Sequence, residues 1–155
     1  MAPLTQPGSG SAIRGGQFGD DFREMVAPLR ETHMIGAHIE VVLIVTGALT
    51  AVALLQFIAP VPMLRMIYGQ APTDATSLLL ARHWGLLIFL IGVLLIYAAF
   101  HHAVREPATL LAAIEKIALG IGVFGTSLRK HSVAAAIAAG DSLIALVYVL
   151  YLVGF

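Results

Sequence analysis

Glu115 and Lys116 stand side by side inside a stretch that is otherwise apolar enough to cross a membrane, and Asp141 interrupts the next such stretch. Arg82, followed by His83, lies a turn into an earlier one. A charged side chain at the bilayer centre costs about 2.5–3.5 kcal/mol on insertion scales, so each of these needs compensation. Intramembrane carboxylates can relay a proton or ion, or line a polar ligand pocket. They can also pair with cations to fix helix register, as a polar residue does in a coiled-coil seam. Arg82, Glu115, Lys116 and Asp141 sum to zero charge, which fits a compensated buried cluster.

Histidines offer a second chemistry, axial ligation of a haem or pigment. His38 opens the first apolar run, His101 and His102 close the second, and His83 and His131 lie toward the opposite face. A bis-histidine site needs two rings facing each other at one depth, which leaves His38 with His101 or His102. None of these lies deep in a run, and amphipathic side chains at a membrane interface commonly act as caps. A cofactor (haem, pigment or quinone) therefore stays unassigned. Gly120-Ile-Gly122-Val-Phe-Gly125 matches GxGxxG but follows no strand and opens no helix, so it is not read as a nucleotide site. Its glycines are expected to serve close helix packing. No nucleophile elbow, metal-ligand spacing or carboxylate pair in a cleft is visible, and the chain is not expected to be an enzyme.

The elements that must position these residues follow from composition. At 59% hydrophobic and 12% charged, with mean hydropathy +0.90, the chain reads as one membrane domain. Zero net charge without a basic tract gives no footprint for nucleic acid. The absence of cysteine excludes disulfides, iron–sulfur ligation and thiol catalysis. The first 37 residues lack the apolar core of a signal peptide. Residues 1–19 are rich in Pro, Gly and Ser and are expected to form a flexible polar tail. Over 20–37, Phe22, Met25, Val26, Leu29 and His33 recur at helical spacing against a charged opposite side, which predicts an amphipathic helix on the membrane surface.

The transmembrane domain is expected over 38–155. Four spans run over about 38–59, 78–100, 108–125 and 132–155, each near the ~20 residues that cross a ~30 Å hydrocarbon core. Short connections (HHAVREP and TSLRKH) predict antiparallel neighbours, and the longer linker from Pro60 to Ser77 has room for a short surface helix. On the third span, Ala108, Leu111, Glu115, Ala118, Gly122 and Gly125 form one stripe; on the fourth, Ala134, Ala138, Asp141, Ala145 and Tyr148 form another. Small residues mark close helix approach, so both acids are expected to face the bundle. At 1.5 Å per residue, Lys116 and Asp141 fall within about a helical turn of one depth, and Lys116 is expected to pair with Asp141. Orientation stays open. Arg14, Arg23, Arg30 and Arg105 on the terminal side balance Arg65, Arg82, Arg129 and Lys130 on the other.

The runs ARHWGLLIFLIGVLLIYAAFHHAVREP, AAIEKIALG and AAGDSLIALVYVLYL resemble small bacterial four-helix integral membrane proteins of the DoxX-like type. The resemblance covers the four spans and not the tail, whose length is a departure that implies an added attachment to the membrane surface or a partner. It implies a fold and a bacterial cell membrane more than an activity.

The expectation is an all-α, polytopic membrane protein with four transmembrane helices in an antiparallel bundle and an N-terminal amphipathic surface helix. The leading function is a non-enzymatic membrane subunit that assembles with itself or with other membrane-protein subunits. One alternative is a small transporter or ion- or proton-conducting protein using Glu115 and Asp141. Another is a haem-, pigment- or quinone-binding electron-transfer subunit.

Overall fold

The computed structural model describes residues 34–154, with side chains from residue 38 onward. The polar tail expected over 1–19, and the surface helix expected over 20–37 as far as residue 33, lie outside the described residues. Six α-helices follow: α1 (Met34–Ala51), α2 (Leu54–Ile58), α3 (Pro60–Tyr68), α4 (Ala75–Phe100), α5 (His102–Phe124) and α6 (Ser132–Leu152), with a 3-10 turn at Ser127–Lys130 before α6. No strand occurs among the described residues. Four stretches are long and apolar enough to cross a membrane: His38–Ile58, Ala75–Phe100, His102–Phe124 and Ser132–Leu152. They mark a multi-pass membrane protein. Helix already runs through 34–37, residues expected to belong to the surface segment.

Large apolar side chains such as Leu49, Leu79, Phe100, Ile121 and Leu143 are more than half exposed in the isolated chain, as lipid-facing residues of a membrane helix must be. The core is correspondingly small. Ile39, Leu43, Leu95 and Tyr148 pack with Ala98, Ala99, Ala108, Ala112 and Ala113. Alanine lets backbones approach, and in hydrocarbon such packing replaces the hydrophobic effect as the force between helices.

The tightest approach is between α1 and α4. A Cβ on Gly92 would lie 2.6 Å from the Ala51 nitrogen and 2.7 Å from the Gly47 carbonyl oxygen, and one on Gly47 would lie 2.7 Å from the Gly92 oxygen. These neighbours are backbone and cannot give way. Just beyond this crossing the first span breaks. Val52, Ala53, Leu55 and Gln56 donate to carbonyls three residues back, at 2.9–3.2 Å, so α1 passes into α2 through 3-10 geometry. Neither Gly nor Pro occupies 52–53, and the cause is tertiary: Gly85 of α4 admits the displaced backbone. A Cβ there would lie 2.9 Å from the Phe57 nitrogen and 3.0 Å from the Ala53 oxygen.

The linker expected to hold a surface helix contains α3. Pro60 opens it, where a missing N–H costs nothing. Gly69 closes it with φ 72°, its N–H on the Arg65 carbonyl at 2.9 Å. Asp74 then caps α4 by accepting the Ser77 backbone N–H at 2.8 Å, and that hydrogen bond holds the Asp74 carboxyl below the usual carboxylate range.

The third span, α5, corrects the sequence reading. It starts at His102, not near Ala108, and Pro107 lies inside it. Only His101, in extended conformation, separates it from α4. Arg105, expected in the connection HHAVREP, is instead helical and buried in this first stretch. It donates to the Ala98 and Ala99 carbonyls at 3.3 and 2.6 Å and to Glu40 of α1 at 3.1 Å. A cation on the last carbonyls of α4 satisfies acceptors that the helix leaves open and opposes its dipole.

The glycine crossing generates a stability prediction. Gly92→Leu should force α1 and α4 apart and lower the denaturation midpoint in detergent, an overpacking cost of about 1–3 kcal/mol or more. Leu90→Ala, at a half-exposed position on the same helix, should leave that midpoint nearly unchanged when both are followed by circular dichroism.

Candidate functional site

Lys116 lies about 12 Å before the end of α5, and Asp141 about 14 Å after the start of α6, at 1.5 Å per residue. The two meet: Lys116 Nζ donates to Asp141 Oδ1 at 2.6 Å. The Lys116 side chain is 3% exposed and the Asp141 side chain 18%. Glu115 takes no share in that hydrogen bond. Its Oε2 stands 3.9 Å from Nζ, an ion-pair distance beyond hydrogen-bond range, and is buried without a hydrogen-bond partner.

The face of α5 differs from the expected stripe. Arg105, Ala108, Thr109, Ala112, Ala113, Lys116, Gly120 and Val123 are buried, while Leu111, Ala118, Gly122 and Gly125 are exposed. The helix is turned by about one residue, so that Lys116 and not Glu115 faces α6. Two small-residue rows compete on this helix. The row through Ala108, Ala112 and Gly120 packs, and it carries the lysine inward with its apolar stem covered. Among the GxGxxG glycines only Gly120 meets a neighbouring helix, a Cβ there falling 2.9 Å from Ser142 Oγ; Gly122 has open space around it. The α6 stripe is buried at Ala134, Ala138, Ala145 and Tyr148, with Asp141 half-buried on the same side.

Arg82 is a second correction. Its side chain is exposed and donates to the Phe57 carbonyl at 3.2 Å, and among the described residues it forms no ion pair with Glu115 or Asp141, whose cation is Lys116. Without Arg82 the buried cluster is a trio carrying one net negative charge when all three groups are ionised.

The histidines stand apart from the trio. His38, His83, His101 and His102 are exposed. His101 Nδ1 donates to the Tyr97 carbonyl at 2.9 Å, and its ring stacks on Tyr97 with centroids 3.8 Å apart. Among the described residues, no group of three or more His, Cys, Asp or Glu is placed to hold a metal ion.

Sequence reasoning missed two polar contributors. Tyr148 donates to Thr46 Oγ1 at 2.5 Å while that hydroxyl donates to the Val42 carbonyl at 2.6 Å, a chain that ties α6 to α1. Thr50, one turn further along α1, is buried with its hydroxyl unpartnered. Threonines at 46 and 50 in an apolar span were the available signal. Thr50, Glu115, Lys116 and Asp141 all line one cavity of about 460 Å³ whose remaining wall is mostly apolar. That volume is in the range of small-molecule sites.

The fold and this trio thus define a multi-pass helical membrane protein with a buried ion pair beside a half-open cavity. No protein-family model matches the chain, and no curated protein or solved structure matches it. The likeness to DoxX-like proteins rests on the sequence runs alone.

The ion pair generates a double-mutant prediction. Removing one partner of a buried pair leaves an uncompensated charge, at a typical cost of about 3–5 kcal/mol. Lys116→Met and Asp141→Leu should each destabilise the protein by that order, and the double variant should regain much of the loss. Additive losses in a detergent unfolding series would show that the two groups do not depend on each other.

Proposed function

We propose that this chain is a small, non-enzymatic integral membrane subunit that assembles with itself or within a larger membrane complex. It is an antiparallel bundle of four spans in a cell membrane with both termini on one side. The observation that carries this reading is the pairing of its buried cations: Lys116 is taken up by Asp141, and Arg105 by Glu40 and the end of α4. Buried pairs of this kind are best attested as devices that fix register and partner choice. Assembly draws support from Ala118 and Gly122, four residues apart on α5. Both are exposed, and a Cβ at Gly122 meets no atom within 4 Å. Such a small-xxx-small row admits a neighbouring helix closely.

A second reading, a small transporter using Glu115 and Asp141, is favoured by one feature: the unpartnered Glu115 Oε2 beside the cavity. Flux of a substrate into liposomes, lost in Glu115→Gln, would favour it over the subunit reading.

The absence of native cysteine makes the assembly reading directly testable. Gly122→Cys should form a disulfide-linked dimer in oxidised native membranes, whereas Leu143→Cys on α6 should not. Equal cross-linking at both positions would mean random collision and would count against a specific α5 interface. Reporters fused at Met1 and after Phe155 should report the same compartment; opposite compartments would overturn the four-span topology.

A further inference from the structure

Among the described residues, Thr50 carries the one buried side-chain hydroxyl without a hydrogen-bond partner. Thr46, Thr109 and Ser142 each donate to the carbonyl four residues back, at 2.6, 2.7 and 2.7 Å. That local bond is how a hydroxyl is satisfied in a membrane helix. Thr50 does not make it. It is 7% exposed, its Oγ1 is buried without a partner, and the residue lines the 460 Å³ cavity. Glu115 Oε2 is the other buried, unpartnered side-chain atom among the described residues, and Glu115 lines the same cavity. Buried polar groups are nearly always satisfied, so two orphans on one cavity mark a place where something else supplies the hydrogen bonds.

The chemistry of that partner follows from the walls. Glu115, Lys116 and Asp141 are the charged residues of the lining, and Lys116 is already engaged by Asp141. An anion would add a third negative charge beside two carboxylates. A purely apolar molecule would leave both oxygens unpaired. A cation that carries N–H donors meets both needs, because a carboxylate accepts and a hydroxyl can accept. The rest of the wall is mostly apolar, with Leu49, Met63, Met66 and Trp84 among it and Gln56 and Tyr68 as uncharged polar members. Methionines adapt to the shape of an apolar body, and an indole face attracts a cation. The 3-10 break at Val52–Ala53 borders the same space, and irregular backbone at membrane depth is tolerated where it lines a cavity. Leu49, Val52 and Trp84 are also exposed on the outer surface, so the cavity is reached from the lipid side.

We propose that this cavity binds a lipophilic amine, its ammonium donating hydrogen bonds to Glu115 and Thr50 and its apolar body lying against α1, α3 and α4. The proposal goes beyond the subunit reading and rests on the cavity, so it does not depend on assembly or on transport.

The test is equilibrium binding of dansyl-hexylamine to the purified full chain in detergent, followed by dansyl emission, with the N-acetylated analogue as the uncharged control. The amine should bind saturably, and the acetylated analogue at least about tenfold more weakly, the scale of a hydrogen bond to a charged group. Glu115→Gln should weaken the amine by a similar factor, and Thr50→Val several-fold. Gly140 lines the cavity and has no atom within 4 Å of a Cβ built on it; Gly140→Phe should therefore fill the space and abolish binding. These positions lie outside the Lys116–Asp141 pair, so helicity and elution volume should match the parent. If Glu115→Gln fails that check, Thr50→Val and Gly140→Phe decide. Non-saturable uptake, equal binding of the acetylated analogue, or indifference to folded Glu115 and Gly140 variants would each overturn the proposal, whatever the cross-linking of Gly122→Cys shows.

Discussion

An ammonium group placed among hydrocarbon must find an anion, and Lys116 finds Asp141 at 2.6 Å. Neither group can be moved independently, because hydrocarbon offers an isolated charge nothing to replace water. The consequence spreads along α5. Turning Lys116 toward α6 carries Ala108, Ala112 and Ala113 into the core and leaves Glu115 at the margin of the interface. The same rotation leaves Ala118 and Gly122 uncovered.

The other pair of long helices is held by a different device. Where α1 crosses α4, Gly47 and Gly92 bring backbone against backbone, and contact area replaces charge as the source of attraction. Polar ties join the two halves at separate heights: Tyr148 to Thr46, and Arg105 to both Glu40 and the end of α4. Arg105 performs at a helix end what Lys116 performs mid-helix. Its five donors can satisfy several oxygens in a fixed plane, whereas lysine offers a compact charge to one carboxylate. The residue types match their surroundings, a terminus with open carbonyls in one case and the interface between α5 and α6 beside the cavity in the other.

Between these locks the structure is less tightly finished. The first span breaks directly after the glycine crossing, and α3 follows it in place of a direct return. A straight α1 would continue its hydrogen-bond ladder past Thr50. The 3-10 stretch redirects the chain, and the displaced backbone, α3 and the trio enclose the cavity together. Hydrogen-bonded polar groups hold the bundle, and among the described residues the two buried unpartnered side-chain atoms belong to Thr50 and Glu115, which line the same cavity as Lys116 and Asp141.

The sequence by itself determined the spans, because a backbone in lipid must satisfy its own hydrogen bonds and an apolar run of sufficient length has no other stable form. It determined local punctuation as well: Pro60 and Gly69 bound α3 through missing N–H and left-handed φ, and Asp74 opens α4. The inward side of α6 was legible because Asp141 shares it with alanines and Tyr148. Rotation of α5 was not, since small residues occupy two adjacent faces and only packing against α6 selects one. The start of α5 was hidden because Pro107 reads as a boundary, yet the helix runs through it despite the lost N–H, and Arg105 in that first stretch reaches back to Ala98 and Ala99. Arg82 could not be placed from depth alone, since depth fixes height along a helix and not direction around it. The break at Val52–Ala53 had no sequence mark at all. It exists because Gly85 on another helix makes room, a contact that only the folded chain can create.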